Sequence, residues 1–524
     1  GWTGRYENMN NMRVSTNGGL VTENWFDLNA SRYTASSTLQ RMELLKTGYM
    51  GTLSLGWDNY LFLELTGRQE RSSTLKDQSF FYPSANLSFL FSNAFRMPAW
   101  WNHGKLRLSY GVVGNAPETY AANIIYEQGS DNGFTWNYVP SSWGNANIRP
   151  EKKYEYEIGF ESKFLNNRLG FDVSYYNNRV KDQILSTPQP STSGVKYVLM
   201  NVGEVANEGW DISVSATPVL TKNFRWDLTA NYGIYRNKVV KLADGVPYLE
   251  ISNIGGGGAK IQAVEGRPMG DIYVQVPQMN ENGEYLVSDK GLYMNQTELQ
   301  RVGNINPDGV GGLFSSFSYK NIFLDFSIDF RIGGDVINEM YQYSTASGLT
   351  PESLQFRDTE HGGLSYYYPG NNNASGVPVQ VDPSLGAGPN GETVYHDGVI
   401  LPGVVASTGE KNTRIIPAGY YYNQTYNWGT QPEQLTYRHS VFDNSYVKLR
   451  ELTIGYQFPE KLISKLGMTR LSVSVFGRNL FYFYKALKNY DAESSVGTSW
   501  ASQAVVGGST TATRNFGVSL RASF

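Results

Sequence analysis

The sequence predicts an all-β fold, a transmembrane antiparallel β-barrel, and three features of the chain support this. Segments of about ten residues alternate between apolar and polar side chains, as expected of strands that have two different faces. Short polar turns and long loops rich in Gly, Asn, Pro and Tyr connect these segments alternately. The chain ends on an alternating segment, 514–524, whose last residue is Phe524. Alternation with short turns at one end and long loops at the other is typical of a barrel wall in a bilayer.

The segment 311–333 shows the pattern most clearly, because a tight turn at Lys320-Asn321 separates two alternating runs. In the second run, one face is formed by Ile322, Leu324, Phe326, Ile328, Phe330 and Ile332. The opposite face is formed by Asp325, Ser327, Asp329 and Arg331.

The same design predicts about 13 strands along the chain. Their approximate spans are 48–57, 60–70, 81–92, 104–113, 151–164, 169–184, 208–217, 224–238, 311–320, 322–333, 445–458, 470–483 and 513–524. Long loops are expected at 114–150, 185–207, 239–310, 334–444 and 484–512. We expect the long loops to be extracellular and the short turns to be periplasmic.

Composition excludes several classes of protein. The formal net charge of −3 gives no field that would attract nucleic acid, and the absence of cysteine excludes disulfides and thiolate metal sites. We expect no metal site and no cofactor. The 37 Tyr and 11 Trp are numerous enough to form aromatic girdles at two bilayer interfaces.

A soluble β-sandwich would also alternate, but two features favour the membrane barrel. The faces opposite the apolar ones carry many charges, among them Glu155, Asp172 and Asp325. Loops of about 23 to 111 residues recur at one end only, whereas soluble β domains usually have short connections. The odd strand count conflicts with the even number in bacterial single-chain barrels. Either one strand has been missed, or strands that complete the barrel precede Gly1.

Several segments resemble the SusC/RagA-type TonB-dependent transporters of Gram-negative outer membranes. The segments that carry this resemblance are 105–115 (KLRLSYGVVGN), 147–160 (NIRPEKKYEYEIGF), 201–212 (NVGEVANEGWDI), 265–273 (EGRPMGDIY), 303–312 (GNINPDGVGG), 445–459 (SYVKLRELTIGYQFP) and 477–481 (GRNLF). They occur in the family's order and spread over most of the chain. The resemblance implies a 22-stranded barrel preceded by a plug domain and a TonB-interacting segment.

On this resemblance, residues 48–524 correspond to the C-terminal part of the barrel, and residues 1–47 to an extracellular loop region. The plug domain and the first strands are expected to be absent from this chain. The implied function is TonB-dependent import of an oligomeric nutrient, an oligosaccharide or an oligopeptide, across the outer membrane of a Gram-negative bacterium. The implied partners are a SusD-like lipoprotein, the lipid bilayer, and the TonB-ExbB-ExbD complex acting through the missing N-terminal part.

The resemblance implies a transporter that leaves its ligand chemically unchanged, so we expect no enzymatic activity and no catalytic residues. Two other functional classes stay open at this point. One is a passive outer-membrane porin or secretion barrel, and the other is a soluble β-rich adhesin or glycan-binding protein. A plug domain encoded upstream would argue against the first, and a requirement for detergent would argue against the second.

Two sets of side chains are candidates for functional roles. Exposed aromatic side chains can stack on sugar rings or grip peptides, and the loop candidates are Trp136, Tyr138, Trp143, Tyr366, Tyr367, Tyr368, Tyr420, Tyr421, Tyr422 and Trp428. The alternative is that these aromatics pack the loops together or contact the lipoprotein. Charged residues expected to face the lumen or the plug are Arg225, Asp227, Asp325, Asp329 and Arg331.

Overall fold

A computed structural model describes residues 1–76, 79–131, 134–427, 436–508 and 512–524 of the chain. Within these residues the main sheet has 14 antiparallel strands that follow one another in chain order. They are β1 (Trp2–Leu20), β2 (Ser31–Trp57), β3 (Leu61–Ser72), β4 (Ser79–Phe89), β5 (Trp101–Asn115), β6 (Glu151–Phe164), β7 (Leu169–Lys181), β8 (Glu204–Leu220), β9 (Phe224–Lys241), β10 (Gly309–Tyr319), β11 (Ile322–Ile332), β12 (Tyr446–Gln457), β13 (Arg470–Lys485) and β14 (Asn515–Ser523). The predicted all-β antiparallel fold is confirmed.

The first 47 residues differ from the sequence prediction, which assigned them to a loop region. They form β1 and most of β2, which pair from Trp2 opposite Tyr49 to Ser15 opposite Ser36. The strand count is therefore 14 in the described residues, and β1 is the strand that the alternation pattern did not predict. Both faces of this hairpin carry many polar residues, so alternation could not reveal it. Whether the hairpin is extracellular stays a prediction.

The connections between the strands of the main sheet contain folded elements of their own. The helices are α1 (Phe91–Ala94), α2 (Glu339–Ala346), α3 (Ala418–Tyr426) and α4 (Glu460–Ile463). Short 3₁₀ helices occur at Leu28–Ala30, Ser191–Ser193, Gly255–Gly257, Pro351–Leu354, Pro369–Asn371, Arg438–Ser440, Ser464–Leu466 and Ser502–Ala504. Among the described residues, no helix combines the length and the apolar character that crossing a bilayer requires.

In the described part of the chain, short strands outside the main sheet build six small sheets and ribbons. Their bounds are Glu127–Asp131, Phe134–Tyr138, Ser142–Trp143, Ile184–Pro188, Tyr197–Asn201, Tyr248–Ile254, Ala259–Val264, Asp271–Val274, Leu286–Val287, Gln300–Asn304, Asp335–Asn338, Leu364–Tyr367, Val379–Gln380, Val394–Val399, Val404–Val405, Ile416–Pro417, Val441–Asp443 and Val505–Val506. The fully buried aliphatic side chains of the protein lie mostly here, in clusters such as that around Ile261, Ile272 and Val274.

The chain divides into two compact units. Unit 1 comprises residues 1–209 and 239–247, and unit 2 comprises residues 210–238 and 248–524. In unit 1, the turn between β2 and β3 has left-handed backbone at Asp58 (φ 44°) and Asn59 (φ 55°). Two consecutive residues with positive φ match the twist of the flanking strands, and the short turn between the predicted strands 48–57 and 60–70 is confirmed.

The apolar face of β5, β6 and β7 in unit 1 is exposed rather than covered. Leu108 lies opposite Ile158, which in turn lies opposite Tyr175. Leu108 is 47% exposed and Ile158 is 50% exposed. Soluble monomers rarely expose a contiguous apolar surface of this kind. The face therefore fits contact with hydrocarbon.

Aromatic side chains border this face at both of its ends. Trp100, Trp101 and Phe164 stack at the short-turn end, with ring centroids 5.4 to 5.9 Å apart. Tyr154 lies ten residues before Phe164 on β6, near the end with the long loops. Ten residues rise about 33 Å along a strand, which a tilt of about 40–45° reduces to roughly 25 Å. This height matches the apolar band of an outer-membrane barrel.

Replacing Ile158 by arginine should destabilise the membrane-embedded protein by about 2–4 kcal/mol, because Ile158 lies near the middle of the apolar band. The measurement is the free energy of unfolding in lipid vesicles. Ile125→Arg is the matched control, since Ile125 is 61% exposed but lies in the segment after β5. Equal effects of the two substitutions would contradict a lipid-facing position for Ile158.

Candidate functional site

The polar face of β9 to β12 in unit 2 carries the charged residues that were predicted to face the lumen or the plug. Asp227 pairs with Arg225 at 2.5 Å and accepts a hydrogen bond from the Thr217 hydroxyl at 2.7 Å. Asp325 accepts a hydrogen bond from the Ser316 hydroxyl at 2.6 Å. Because Ser316 lies opposite both aspartates in the ladder, the two carboxylates flank one hydroxyl on a single row.

A β-bulge at Arg450 changes which side chains β12 presents to this face. Glu451 lies opposite Ser327 and Leu449 lies opposite Ile328, so Arg450 is the extra residue between two ladder positions. A bulge re-aims the side chains that follow it. Lys448 therefore lies opposite Asp329, and two cations approach the polar face close together.

We call the resulting ion-pair cluster the Arg450 network. The Arg450 guanidinium binds the Asp329 carboxylate, and it also binds Glu493 through two hydrogen bonds of 2.6 and 3.0 Å. Lys448, whose side chain is almost fully buried, also pairs with Glu493. Glu493 belongs to the connection between β13 and β14. Burial alone would raise the pKa of Glu493, but hydrogen bonds from Arg450 and Lys448 hold that pKa below the ordinary value. The Arg450 network therefore binds the connection between β13 and β14 to the polar face.

Two further side chains bind segments outside the main sheet. Tyr482 binds the connection between β13 and β14, and Arg331 binds backbone next to β10 and β11. The Tyr482 hydroxyl donates to the Asp491 carboxylate at 2.6 Å, and the other carboxylate oxygen accepts from the Ala512 backbone N–H at 2.9 Å. The Arg331 guanidinium donates to the backbone carbonyls of Ile305 at 3.0 Å and Gly333 at 3.2 Å. Arg331 therefore binds loop backbone at the end of β11.

The aromatic candidates of unit 1 lie on small loop strands. Trp136 and Tyr138 are 48% and 44% exposed on the strand Phe134–Tyr138. A hydrogen bond to Glu127 raises the pKa of Tyr138. Trp143 is partly buried and meets the Tyr126 ring edge-on at 5.8 Å. These rings are accessible to a ligand from solvent.

In unit 2, three of the aromatic candidates are buried within the loops. Tyr366 is 1% exposed, stacks on Tyr395 at 5.5 Å and donates its hydroxyl to Asp397 at 3.1 Å. Burial raises the pKa of Tyr366. Tyr368 and Tyr422 are 9% and 7% exposed. Their positions correspond to the alternative in which the aromatics pack the loops together.

The remaining unit 2 candidates are less enclosed. Tyr367 is partly buried beside Gly388, and Tyr420 and Tyr421 are partly buried against the cluster that contains Leu292. Burial raises the pKa of Tyr421. Trp428 lies outside the described residues. No segment of the sequence distinguishes these tyrosines from the buried ones, since Tyr366, Tyr367 and Tyr368 are consecutive.

Unit 2 also contains a cavity of about 300 Å³ that no sequence pattern predicts. Rings of Tyr341, Phe442 and Tyr490 line it, and Glu352 and Lys488 supply one charge of each sign. Tyr341 and Phe442 meet edge-on at 5.1 Å. Three segments far apart in sequence form this wall, and no local pattern marks them. An aromatic cavity with a few polar groups has the usual character of a small-ligand pocket.

Two of the sequence motifs meet in one cluster, which we call the Asp271 cluster. The Asp271 carboxylate is fully buried, accepts hydrogen bonds from Arg267 at 2.5 Å and Asn304 at 2.9 Å, and forms an ion pair with Arg301 at 2.9 Å. The Asn306 amide donates to the Met269 carbonyl at 2.6 Å. The segments 265–273 and 303–312 are thus joined by charge-assisted hydrogen bonds, which gives these motif residues a structural role.

Unit 1 has a similar junction between two other motifs. The Asn201 side chain accepts from the Arg149 backbone N–H and donates to the Arg149 carbonyl, both at 2.7 Å. It also donates to the Asp182 carbonyl at 3.0 Å. The motif segments 147–160 and 201–212 are therefore held together through one asparagine. In the described parts of the chain, no group of three or more His, Asp and Glu residues is placed to hold a metal ion.

Comparison with known proteins identifies the family. Residues 2–272, just over half of the chain, match the model of the family described as TonB dependent receptor-like, beta-barrel. The chain belongs to this family of TonB-dependent receptor β-barrels. The resemblance to the SusC/RagA-type transporters, drawn from the motifs, is confirmed. Membership places the chain among outer-membrane proteins.

Relatives of known name support the same assignment. TonB-dependent receptor P3 from Formosa agariphila is 22% identical over 494 residues, which cover 86% of this chain and 42% of that protein. TonB-dependent receptor SusC from Bacteroides thetaiotaomicron is 27% identical over 256 residues, covering 43% of this chain and 24% of SusC. The chain thus spans less than half of the length of these receptors.

Solved structures show the same fold. A structure of the RagAB peptide transporter matches with a TM-score of 0.70 at 18% identity, covering 99% of this chain and 52% of the matched chain. The RagAB peptide importer in its open-open state also matches with a TM-score of 0.70, covering 100% of this chain and 52% of the matched one. The likeness in fold to the RagAB structure covers 99% of this chain and therefore includes the part beyond residue 272.

Proposed function

We propose that this chain forms part of a TonB-dependent importer that carries an oligomeric nutrient, an oligopeptide or an oligosaccharide, across the outer membrane of a Gram-negative bacterium. The observation that carries the proposal is the receptor fold over the whole chain, with its apolar face exposed and charged side chains on its polar face. Energy would come from TonB-ExbB-ExbD acting through a plug domain. The ligand passes unchanged, so no catalytic residue is assigned.

A SusD-like lipoprotein is proposed as the partner that covers the extracellular mouth and delivers the ligand. Similarity to SusC and to the RagAB transporter supports this pairing. Trp136 and Tyr138 are the proposed ligand-contacting aromatics of unit 1, because both are exposed. In unit 2 we propose Tyr367, Tyr420 and the cavity beside Tyr341. The cavity offers aromatic surface and both signs of charge.

Affinity purification from detergent-solubilised outer membranes, with mass spectrometry of every recovered polypeptide, tests the partner. A lipoprotein recovered together with plug-domain sequence would support the importer. Recovery of neither would favour a passive porin or secretion barrel. Release without detergent would favour a soluble adhesin or glycan-binding protein.

Uptake of labelled oligopeptides and oligosaccharides by cells tests transport directly. An importer driven by TonB should lose uptake in a strain without TonB and after collapse of the proton-motive force. Uptake that persists under both conditions would contradict the proposal. The class of ligand that competes for uptake identifies the substrate.

Reversal of charge on the polar face should loosen the contacts proposed to hold a plug. We expect the combined substitutions Asp227→Lys and Asp325→Lys to raise passive entry of a bulky antibiotic through the intact transporter. The two introduced lysines would place like charges along one row of the polar face and so weaken its polar contacts with the plug. Asp289→Lys, in an exposed turn, is the control. Unchanged permeability in the double variant would count against contact between this face and a plug.

A further inference from the structure

Two lysines lie side by side at the loop end of the apolar face of unit 1. Lys152 on β6 is the direct register partner of Lys181 on β7, and both are exposed. They share the face that carries Tyr154 and Ile158. Like charges placed directly opposite each other destabilise a strand pair. Such a pair is tolerated best when an external anion neutralises it.

The carboxylates near this pair are engaged elsewhere. Asp182 pairs with Arg149 at 3.3 Å, and Glu204 pairs with Arg179 at 2.9 Å. Among the residues that the structure describes, no carboxylate lies within 4.0 Å of the ammonium group of Lys152 or Lys181. The Lys181 ammonium instead lies 6.0 Å from the centroid of the Tyr154 ring. The described residues therefore give these two positive charges no direct counter-charge.

The height of the pair matches that of lipid headgroups. Tyr154 and Phe164 mark the two borders of the apolar band, and Lys152 lies two residues beyond Tyr154 toward the long loops. Two residues along a tilted strand add about 5 Å of height. An aromatic residue at the interface followed by basic residues is the arrangement that places cations among headgroups.

We propose that Lys152 and Lys181 bind the phosphate of an anionic lipid in the leaflet on the long-loop side. In an outer membrane, this phosphate belongs to the phosphorylated disaccharide headgroup of lipid A. The inference rests on the outer-membrane placement of the proposed function but not on its substrate. Two adjacent ammonium groups can share one phosphate, and the Tyr154 ring lies against the apolar part of the lipid.

Binding of lipid A to the purified full-length transporter tests the site. The probe is bisphosphorylated lipid A, followed by native mass spectrometry or a fluorescent lipid titration in detergent. Each basic residue near an anionic surface contributes about a fivefold factor, so K152A/K181A should bind roughly 10- to 30-fold more weakly. Lys153→Ala is the matched control, because Lys153 lies on the opposite face and pairs with Glu155 at 2.6 Å.

A second variant separates loss of lipid binding from loss of folding. K152R/K181R should retain binding and the heat-modifiable gel mobility of a folded barrel, because it keeps both positive charges. Equal affinity of K152A/K181A and the native protein would overturn the proposal. So would equal affinity for dephosphorylated lipid A, or displacement of the lipid by inorganic phosphate at similar concentration. Recovery of the lipoprotein and energy-dependent uptake are scored separately, so their failure would concern the proposed function alone.

Discussion

Replacing Asp271 by alanine is expected to unfold the four-stranded loop sheet that contains the strands Ala259–Val264 and Asp271–Val274. The substitution removes the fully buried carboxylate that accepts hydrogen bonds from Arg267 and Asn304 and forms an ion pair with Arg301. Hydrogen bonds to a charged group contribute about 1.5–3 kcal/mol each, and two of them are lost together. The aliphatic cluster around Ile261 is packed on this sheet and should become accessible with it.

Hydrogen exchange and limited proteolysis of residues 248–304 measure this effect. Asp244→Ala is the matched control, since Asp244 pairs with Lys241 at 3.2 Å while its side chain is 95% exposed. An exposed pair contributes about 0–1 kcal/mol, so the control should leave exchange almost unchanged. Similar exchange in the Asp271 variant and the control would show that the cluster does not hold the sheet.

Replacing Arg450 by alanine should release the connection between β13 and β14 from the polar face. Without the guanidinium, Asp329 and Glu493 become two like charges held close together, and Lys448 alone remains to pair with them. Hydrogen bonds to charged groups are worth about 1.5–3 kcal/mol each. We therefore expect amide exchange in residues 490–494 to become roughly tenfold faster or more.

Arg478→Ala provides the comparison for this prediction. Arg478 pairs with Glu451 at 2.8 Å on the neighbouring strand, but this pair is more exposed. Its loss should change exchange in the connection by less than about twofold. Equal acceleration in both variants, or none in the Arg450 variant, would mean that other contacts such as Tyr482 with Asp491 hold the connection.

The sequence was sufficient to predict strands wherever one face meets lipid and the other meets water. Ile322 to Ile332 illustrate this, because their alternation and the turn at Lys320-Asn321 match β11 and its pairing with β10. The same reasoning failed for Trp2–Leu20. Beyond the apolar band both faces of a strand can be polar, so the period that identifies a strand is lost.

The functional candidates were harder to predict, because burial within a loop depends on contacts between distant segments. Three consecutive tyrosines, Tyr366 to Tyr368, include one ring that is 1% exposed and one that is only partly buried. The bulge did leave a sign in the sequence. Arg450 and Glu451 are adjacent charges in an alternating strand, and two such residues in succession interrupt the period of two.

That bulge also constrains how β11 and β12 align as the barrel assembles. Strands of uniform alternation can slide past each other by two residues without exchanging their faces, so alternation alone specifies their alignment weakly. The extra residue at Arg450 breaks this degeneracy, because the observed alignment brings its guanidinium to Asp329 and places Lys448 opposite the same residue. A slide of two residues would place Lys448 opposite Ser327 or Arg331, neither of which is a carboxylate. The single inserted residue therefore selects one register of β11 and β12 among several that are sterically similar.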